Sequence, residues 1–244
     1  MRTRPTLLAA VAAACVALTA CQPLHLTTPS GSSPLRYRDA VFTQVDTTSD
    51  VTYGKAARLS GSLQTLKLDV YQPRGDAVTR RPAIVWVHGG AFRVGDKTTS
   101  TMVDLATTFA KKGFLTVSID YRLTAGCAPA TSECAQGIDM AYHDAQAAVR
   151  FLRANAATYR VDPNRIAIGG SSAGGITAYN VAYGSEEVGH SGNPGYSSKV
   201  QAAVSISGPR RAAAWNLART PATERNSSSI ADPSSRLDSR AVSG

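Results

Sequence analysis

Apolar and polar residues follow two distinct rhythms along this chain. From Leu66 to Tyr71 the order Leu-Lys-Leu-Asp-Val-Tyr has the period of two that a half-buried strand requires. Residues 41–53 read as an extended first edge strand or hairpin, and Pro73 and Gly75 mark a turn. Ile84-Val-Trp-Val87 is an unbroken apolar run of strand formers, as a strand covered on both faces needs. Residues 99–112 switch to helical spacing, with Met102, Leu105, Ala106 and Phe109 on one face. Lys111 and Lys112 suit the negative helix end, and Gly113 is a stop signal.

Phe114–Ile119 predicts the next strand, and a Gly- and Pro-containing loop with two cysteines follows it. Residues 138–157 predict a long helix turning Ala145, Ala148, Val149 and Leu152 inward. Asp162-Pro-Asn reads as a turn and Arg165–Ile168 as a short strand. A helix over about 173–183 and a strand over Val200–Ile206 complete the pattern, which ends at Ser207-Gly-Pro209. Strands first, then strand–helix alternation, predict the α/β class: a mostly parallel sheet with helices on both faces.

Length and composition narrow this only a little. The 244 residues suit one α/β domain, and 43% hydrophobic with 18% charged residues is an ordinary globular balance. The net charge of +9 raises the question of nucleic acid. Its distribution argues against that. Arg2 and Arg4 open the chain, and six Arg after Pro209 face only Glu224, Asp232 and Asp238, so more than half of the excess is terminal. No basic stripe interleaved with aromatics lies between, and nucleic acid is not expected as a partner.

The amino terminus reads as an export signal. Met1-Arg-Thr-Arg4 is a short positive region, and Leu7–Leu18 is an apolar run too short for a comfortable membrane span. It ends in Leu18-Thr19-Ala20-Cys21, which resembles the bacterial lipobox, so Cys21 is the expected lipidation site and a membrane anchor the expected partner. The alternative is a generic cleaved signal with Cys21 incidental. Residues 1–21 are thus expected as signal and 22–40 as a flexible tether, with Ser, Thr, Pro and Gly filling 27–34. The expected location is the outer face of a bacterial cell membrane. Beyond the leader only Cys127 and Cys134 remain, seven positions apart. Outside the cytoplasm a disulfide between them is the expectation. A metal site competes, but the spacing is no zinc pattern and no second ligand pair is evident.

The chemistry concentrates in Gly170-Ser-Ser-Ala-Gly174, a G-x-S-x-G placed between a predicted strand and a predicted helix. A nucleophile on a sharp strand-to-helix turn projects clear of the sheet, and small neighbours two residues either side avoid collision across the turn. The following helix aims its positive end at developing negative charge. His88-Gly-Gly-Ala-Phe92 follows the buried strand about 80 residues earlier, where a loop donating backbone N–H groups to an oxyanion belongs.

These motifs, with Leu68-Asp-Val-Tyr-Gln-Pro73, Asp120-Tyr-Arg-Leu123, Asp144–Arg153 and Val161-Asp-Pro-Asn-Arg165, make residues 66–209 resemble the carboxylesterase/lipase branch of the α/β-hydrolase fold. The stretch is especially similar to hormone-sensitive-lipase-like and feruloyl-esterase-like bacterial enzymes. The resemblance implies Ser172 as nucleophile and the N–H groups of Gly90, Ala91 and Ala173 as oxyanion hole, with Ala91 replacing the third Gly of the commoner H-G-G-G. His88, Gly89, Gly170 and Gly174 would be structural, His88 bracing the oxyanion loop. It also implies a small-molecule carboxylic ester as substrate and no cofactor or metal.

The pattern departs from the family after Pro209. The triad order is Ser, then Asp or Glu, then His. Yet the only His after Ser172 is His190, which precedes the last predicted strand, whereas the family's base follows two further strands. Residues 210–244 contain Asp232 and Asp238 but no His and show no sustained periodicity. The sequence reading therefore expects a partial domain over 41–209 lacking its C-terminal strands, and a disordered 210–244 that an altered frame or a truncated gene would explain. It expects either a serine esterase whose triad acid and base are absent, or an inactive remnant or interaction protein on the same scaffold.

Overall fold

The computed structural model describes residues 34–125, 127 and 131–208. The expected signal segment 1–21 with Cys21, and residues 210–244, lie outside the described residues. From Leu35 onward the described residues form one unit, built on a mixed sheet.

Strands β1 (Val45–Ala57) and β2 (Leu63–Pro73) form an antiparallel hairpin. β2 runs antiparallel to β4 (Leu115–Ile119), with Leu68 opposite Ile119. From there the sheet is parallel: β4 beside β3 (Arg81–Val87), β3 beside β5 (Val161–Ser171), and β5 beside β6 (Ala202–Ile206). Among the described residues the order is β1-β2-β4-β3-β5-β6. The alternating edge hairpin and the continuous apolar run of Ile84–Val87 thus fall where their patterns put them, at the margin and in the middle.

β3 shows how both faces are covered. Ile84 and Trp86 point to one side, where they pack with Met102, Ala106 and Ala110 of helix α1 (Ser100–Lys111). Trp86 and Phe109 rings lie 5.3 Å apart. Ala83, Val85 and Val87 point to the other, larger core. It takes in Ala141, Ala145, Ala148, Val149 and Leu152 of α2 (Ser132–Ala154) and Ala173, Ala178 and Val181 of α4 (Ala173–Tyr183). A short helix α3 (Ala156–Tyr159) leads into β5. No described helix is long and apolar enough to cross a membrane.

Three details differ from the sequence expectation. Helix α2 begins at Ser132 rather than near 138, because the Thr131 side chain caps it by accepting the Cys134 N–H and Glu133 lies in its first turn. Asp162-Pro-Asn is not a separate turn. It sits inside β5 as a register shift against β3, stabilised where the Asn164 N–H donates to the Asp162 carboxylate. Residues 35–40 of the expected 22–40 tether are held to the domain. Arg36 makes a two-pronged bond to the buried Asp76, and Tyr37 N–H donates to Lys112 O.

Candidate active site

At the end of β5 the chain turns abruptly into α4, and Ser172 is the pivot. Its φ of 52° and ψ of −116° are values that a residue with a Cβ adopts only under strain, about 1–3 kcal/mol. Ser172 is exposed while the next residue, Ala173, is buried. The elbow is fixed on both sides: Ser172 N–H donates to Ile206 O of β6 at 2.8 Å, and Ser172 O accepts Ile176 N–H at 3.0 Å. Gly170 and Gly174 are required by contact. A Cβ on Gly170 would lie 2.4 Å from the Gly174 carbonyl atoms. The spacing legible in the sequence is therefore a crossing of two backbones with no room for a side chain.

The glycine loop after β3 lies against this elbow. A Cβ on Gly89 would come 3.4 Å from Ser172 Cβ. Gly90 has φ of 108°, and its carbonyl accepts the Arg93 and Val94 N–H groups in a tight turn that a Cβ would break, since it would meet Val94 O at 1.9 Å. Ala91 and Phe92 follow with φ of 53° and 60°. Two consecutive left-handed residues with side chains are costly unless held. Ala91 stays exposed, while Phe92 is buried and its carbonyl accepts the Thr124 N–H.

His88 is buried and braces the loop. Its ring stacks on Tyr121 at 4.2 Å, and Nδ1 lies 2.7 Å from Gly89 O, so Nδ1 is assigned the proton. The Tyr121 hydroxyl donates to the carbonyls of His88 and Gly89. Burial drives the His88 pKa below the ordinary histidine value, so the ring is neutral at pH 7. Among the described residues nothing partners Nε2. His190 is exposed in the loop between α4 and β6, and His143 of α2 lies 3.4 Å from Asp139 and 3.5 Å from Glu187. Among the described residues no histidine or carboxylate hydrogen-bonds the Ser172 hydroxyl.

Cys127 and Cys134 are joined in a disulfide that closes the loop ahead of α2, with Cys134 in the first turn of that helix rather than in the loop. Among the described residues no group of three or more His, Cys, Asp or Glu side chains is arranged to hold a metal ion. In the sequence Asp120-Tyr-Arg stands out only as part of the family resemblance. Its mechanical role, the Tyr121 hydroxyl under the glycine loop, depends on the neighbouring of β3 and β4 and has no local signature.

A mixed sheet with helices on both faces, an elbow serine between strand and helix, and a glycine loop after the central strand define an α/β-hydrolase fold of esterase type. The chain belongs to the family described as BD-FAE, whose model matches residues 68–237 and so runs on past Pro209. Among curated proteins it is 34% identical over 112 residues to carboxylesterase 3B of Mus musculus, covering 46% of this chain and 19% of that protein. It is 35% identical over 127 residues to carboxylesterase 3 of Homo sapiens, covering 51% and 22%. The chain thus spans about a fifth of the length of these curated relatives. Among solved structures, esterase 2 of Thermogutta terrifontis phosphorylated by paraoxon matches with a TM-score of 0.53 at 25% identity, covering 66% of this chain and 57% of that one. Its propionate-bound form gives 0.52 at 26%, covering 65% and 54%.

Proposed function

We propose that this chain is a serine hydrolase of small carboxylic esters working through an acyl-enzyme on Ser172. The observation that carries the reading is the strained, exposed Ser172 with the Gly89–Ala91 backbone against it. In this mechanism the Ser172 oxygen attacks the ester carbonyl carbon while a base takes its proton. The backbone N–H groups of Gly90, Ala91 and Ala173 receive the oxyanion. The carbonyl re-forms, the C–O bond to the alcohol breaks, and the proton passes to the departing alkoxide. Water then attacks the acyl carbon and releases the acid and Ser172. The similarity to an esterase phosphorylated by paraoxon supports the choice of an organophosphorus probe for Ser172.

A second reading has its own observation. No described His or carboxylate reaches the Ser172 hydroxyl, as in an inactive or interaction protein on this scaffold. A fluorophosphonate probe and a short-chain p-nitrophenyl ester separate the two. Labelling of Ser172, and turnover above a Ser172→Ala control, support the esterase. Folded protein that shows neither supports the second reading, because an elbow serine without its base loses several orders of magnitude in rate.

Residues 1–21 carry a further proposal, that the protein is exported and lipid-anchored through Cys21. Incorporation of an alkyne fatty acid that Cys21→Ser abolishes would support it. Recovery of unmodified wild-type protein in the soluble fraction would refute it.

A further inference from the structure

The glycine loop that faces Ser172 is held at both ends. His88 and Tyr121 fix its start. Its far end is Lys97, which is buried although it is a lysine on a surface loop. Three parts of Lys97 are bonded to three strands or their ends, β4, β2 and β1. Its N–H donates to Asp120 Oδ1 at 2.8 Å. Its carbonyl accepts the Ser118 hydroxyl at 2.7 Å. Its ammonium lies 2.9 Å from Asp69 Oδ1 of β2 and 3.3 Å from Asp50 Oδ1 of β1.

The receiving carboxylates are themselves placed for this. Asp69 is buried, with its side chain 5% exposed, and its Oδ1 also accepts the Asp50 N–H at 2.8 Å. Asp50 sits at a break in the β1–β2 register with φ of 60°. That irregularity turns both its N–H and its carboxylate toward the Asp69–Lys97 pair. Burial alone would lower the Lys97 pKa. The bonds to Asp69 and Asp50 outweigh burial and raise its pKa above the ordinary lysine value. A buried lysine with a buried carboxylate partner is costly to assemble and is weak evidence for stability as such. Its geometric effect is to fix where the loop ends.

We infer that Lys97, clamped between Asp69 and the Ser118–Asp120 edge of β4, is a positioning residue that sets the placement of the Gly90 and Ala91 N–H groups opposite Ser172. The intervening segment needs such a stop. It contains two left-handed residues with side chains, Ala91 and Phe92, and a Gly95 with φ of 97° that lies against the His88 ring. Without a fixed end the segment relaxes toward ordinary backbone angles and carries the donors with it. The placement rests on the esterase reading for its catalytic meaning and on the hydrogen bonds alone for its mechanical one.

The test separates the two. Amide hydrogen exchange is followed in the full chain, in Lys97→Gln and in Lys97→Arg, together with the rate of fluorophosphonate labelling of Ser172. Lys97→Gln is expected to speed exchange over residues 89–95 roughly tenfold while amides of β3 and β5 keep their wild-type rates. Lys97→Arg, which keeps the charge, is expected to restore most of the protection. Where wild type is labelled, Lys97→Gln labels about tenfold more slowly with little change in the half-saturating probe concentration. Unchanged exchange over 89–95, or acceleration spread evenly through the sheet, overturns the positioning role whatever the labelling shows. Labelling of Lys97→Gln at the wild-type rate overturns its link to the oxyanion donors. Unlabelled wild type with a protected loop counts against the esterase reading and leaves the exchange result to decide the positioning role. If Lys97→Gln does not fold, Asp69→Asn is read by the same criteria.

Discussion

Arg122 and Asp144 form an ion pair in which the carboxylate is fully buried, with Nη2 of the arginine 2.7 Å from Oδ1 of the aspartate. The pair is embedded. Asp144 also accepts the Arg122 N–H and the Ser191 hydroxyl, and Arg122 donates to the Ala57 and Met140 carbonyls. One side chain thus joins the end of β1, the segment after β4, helix α2 and the loop after α4. Removing only one partner leaves a buried charge uncompensated. Asp144→Leu or Arg122→Leu alone is expected to cost about 3–5 kcal/mol, whereas the apolar double variant Arg122→Leu/Asp144→Leu costs less than the sum of the single changes. Urea unfolding of the four proteins checks this, and strict additivity would refute it.

Gly174 is the second point of vulnerability. A Cβ there would stand 2.0 Å from Val87 O and 2.6 Å from His88 O, both backbone atoms. Gly174→Ala must therefore push α4 away from the end of β3. The expected stability loss is about 1–3 kcal/mol or more, together with loss of Ser172 labelling in the fraction that still folds. Full labelling with an unshifted unfolding midpoint would contradict the close approach.

His88 gives a pH dependence with a definite sign. Burial lowers its folded-state pKa below the unfolded value of 6.5. The unfolded chain therefore binds the proton first. The His88 contribution to stability is complete above the unfolded pKa and is lost as pH falls below it toward the folded value, at about 1.4 kcal/mol per unit between the two. The unfolding free energy of wild type should fall between pH 7.5 and 5 more steeply than that of His88→Gln. Parallel profiles would show that another group sets the slope.

The Cys127–Cys134 disulfide closes a short loop, the two residues being seven apart. Loop-closure entropy for so few residues is worth about 2–3 kcal/mol. Reduction, or the paired change to Ser, should lower the melting temperature by several degrees while leaving the secondary structure seen by circular dichroism intact. An unchanged melting temperature on reduction would show that the bond adds nothing to stability.

The sequence was most informative where a residue's role is local. The 3.6-residue spacing of Met102, Leu105, Ala106 and Phe109 located α1 nearly to its ends, and the G-x-S-x-G located the elbow, because steric demands at 170 and 174 leave a visible trace. The start of α2 was missed because a one-atom cap by Thr131 outweighs a stretch without helical apolar spacing. Lys97 was missed for a different reason. Its meaning lies in Asp69 and Asp120, which are distant in sequence and adjacent only through the order of β2 and β4. The same holds for Tyr121 beneath the glycine loop. Side chains that hold a site in place are read from topology, whereas those that shape a turn are read from the residues themselves.

β6 carries a consequence of its own. Among the described residues it is the margin of the sheet, with Ala202 through Ser205 exposed, yet its Ile206 carbonyl holds the Ser172 N–H. The elbow serine is therefore moored to an exposed marginal strand of the described sheet. Fraying of β6 is expected to loosen the elbow at Ser172 before the rest of the sheet responds.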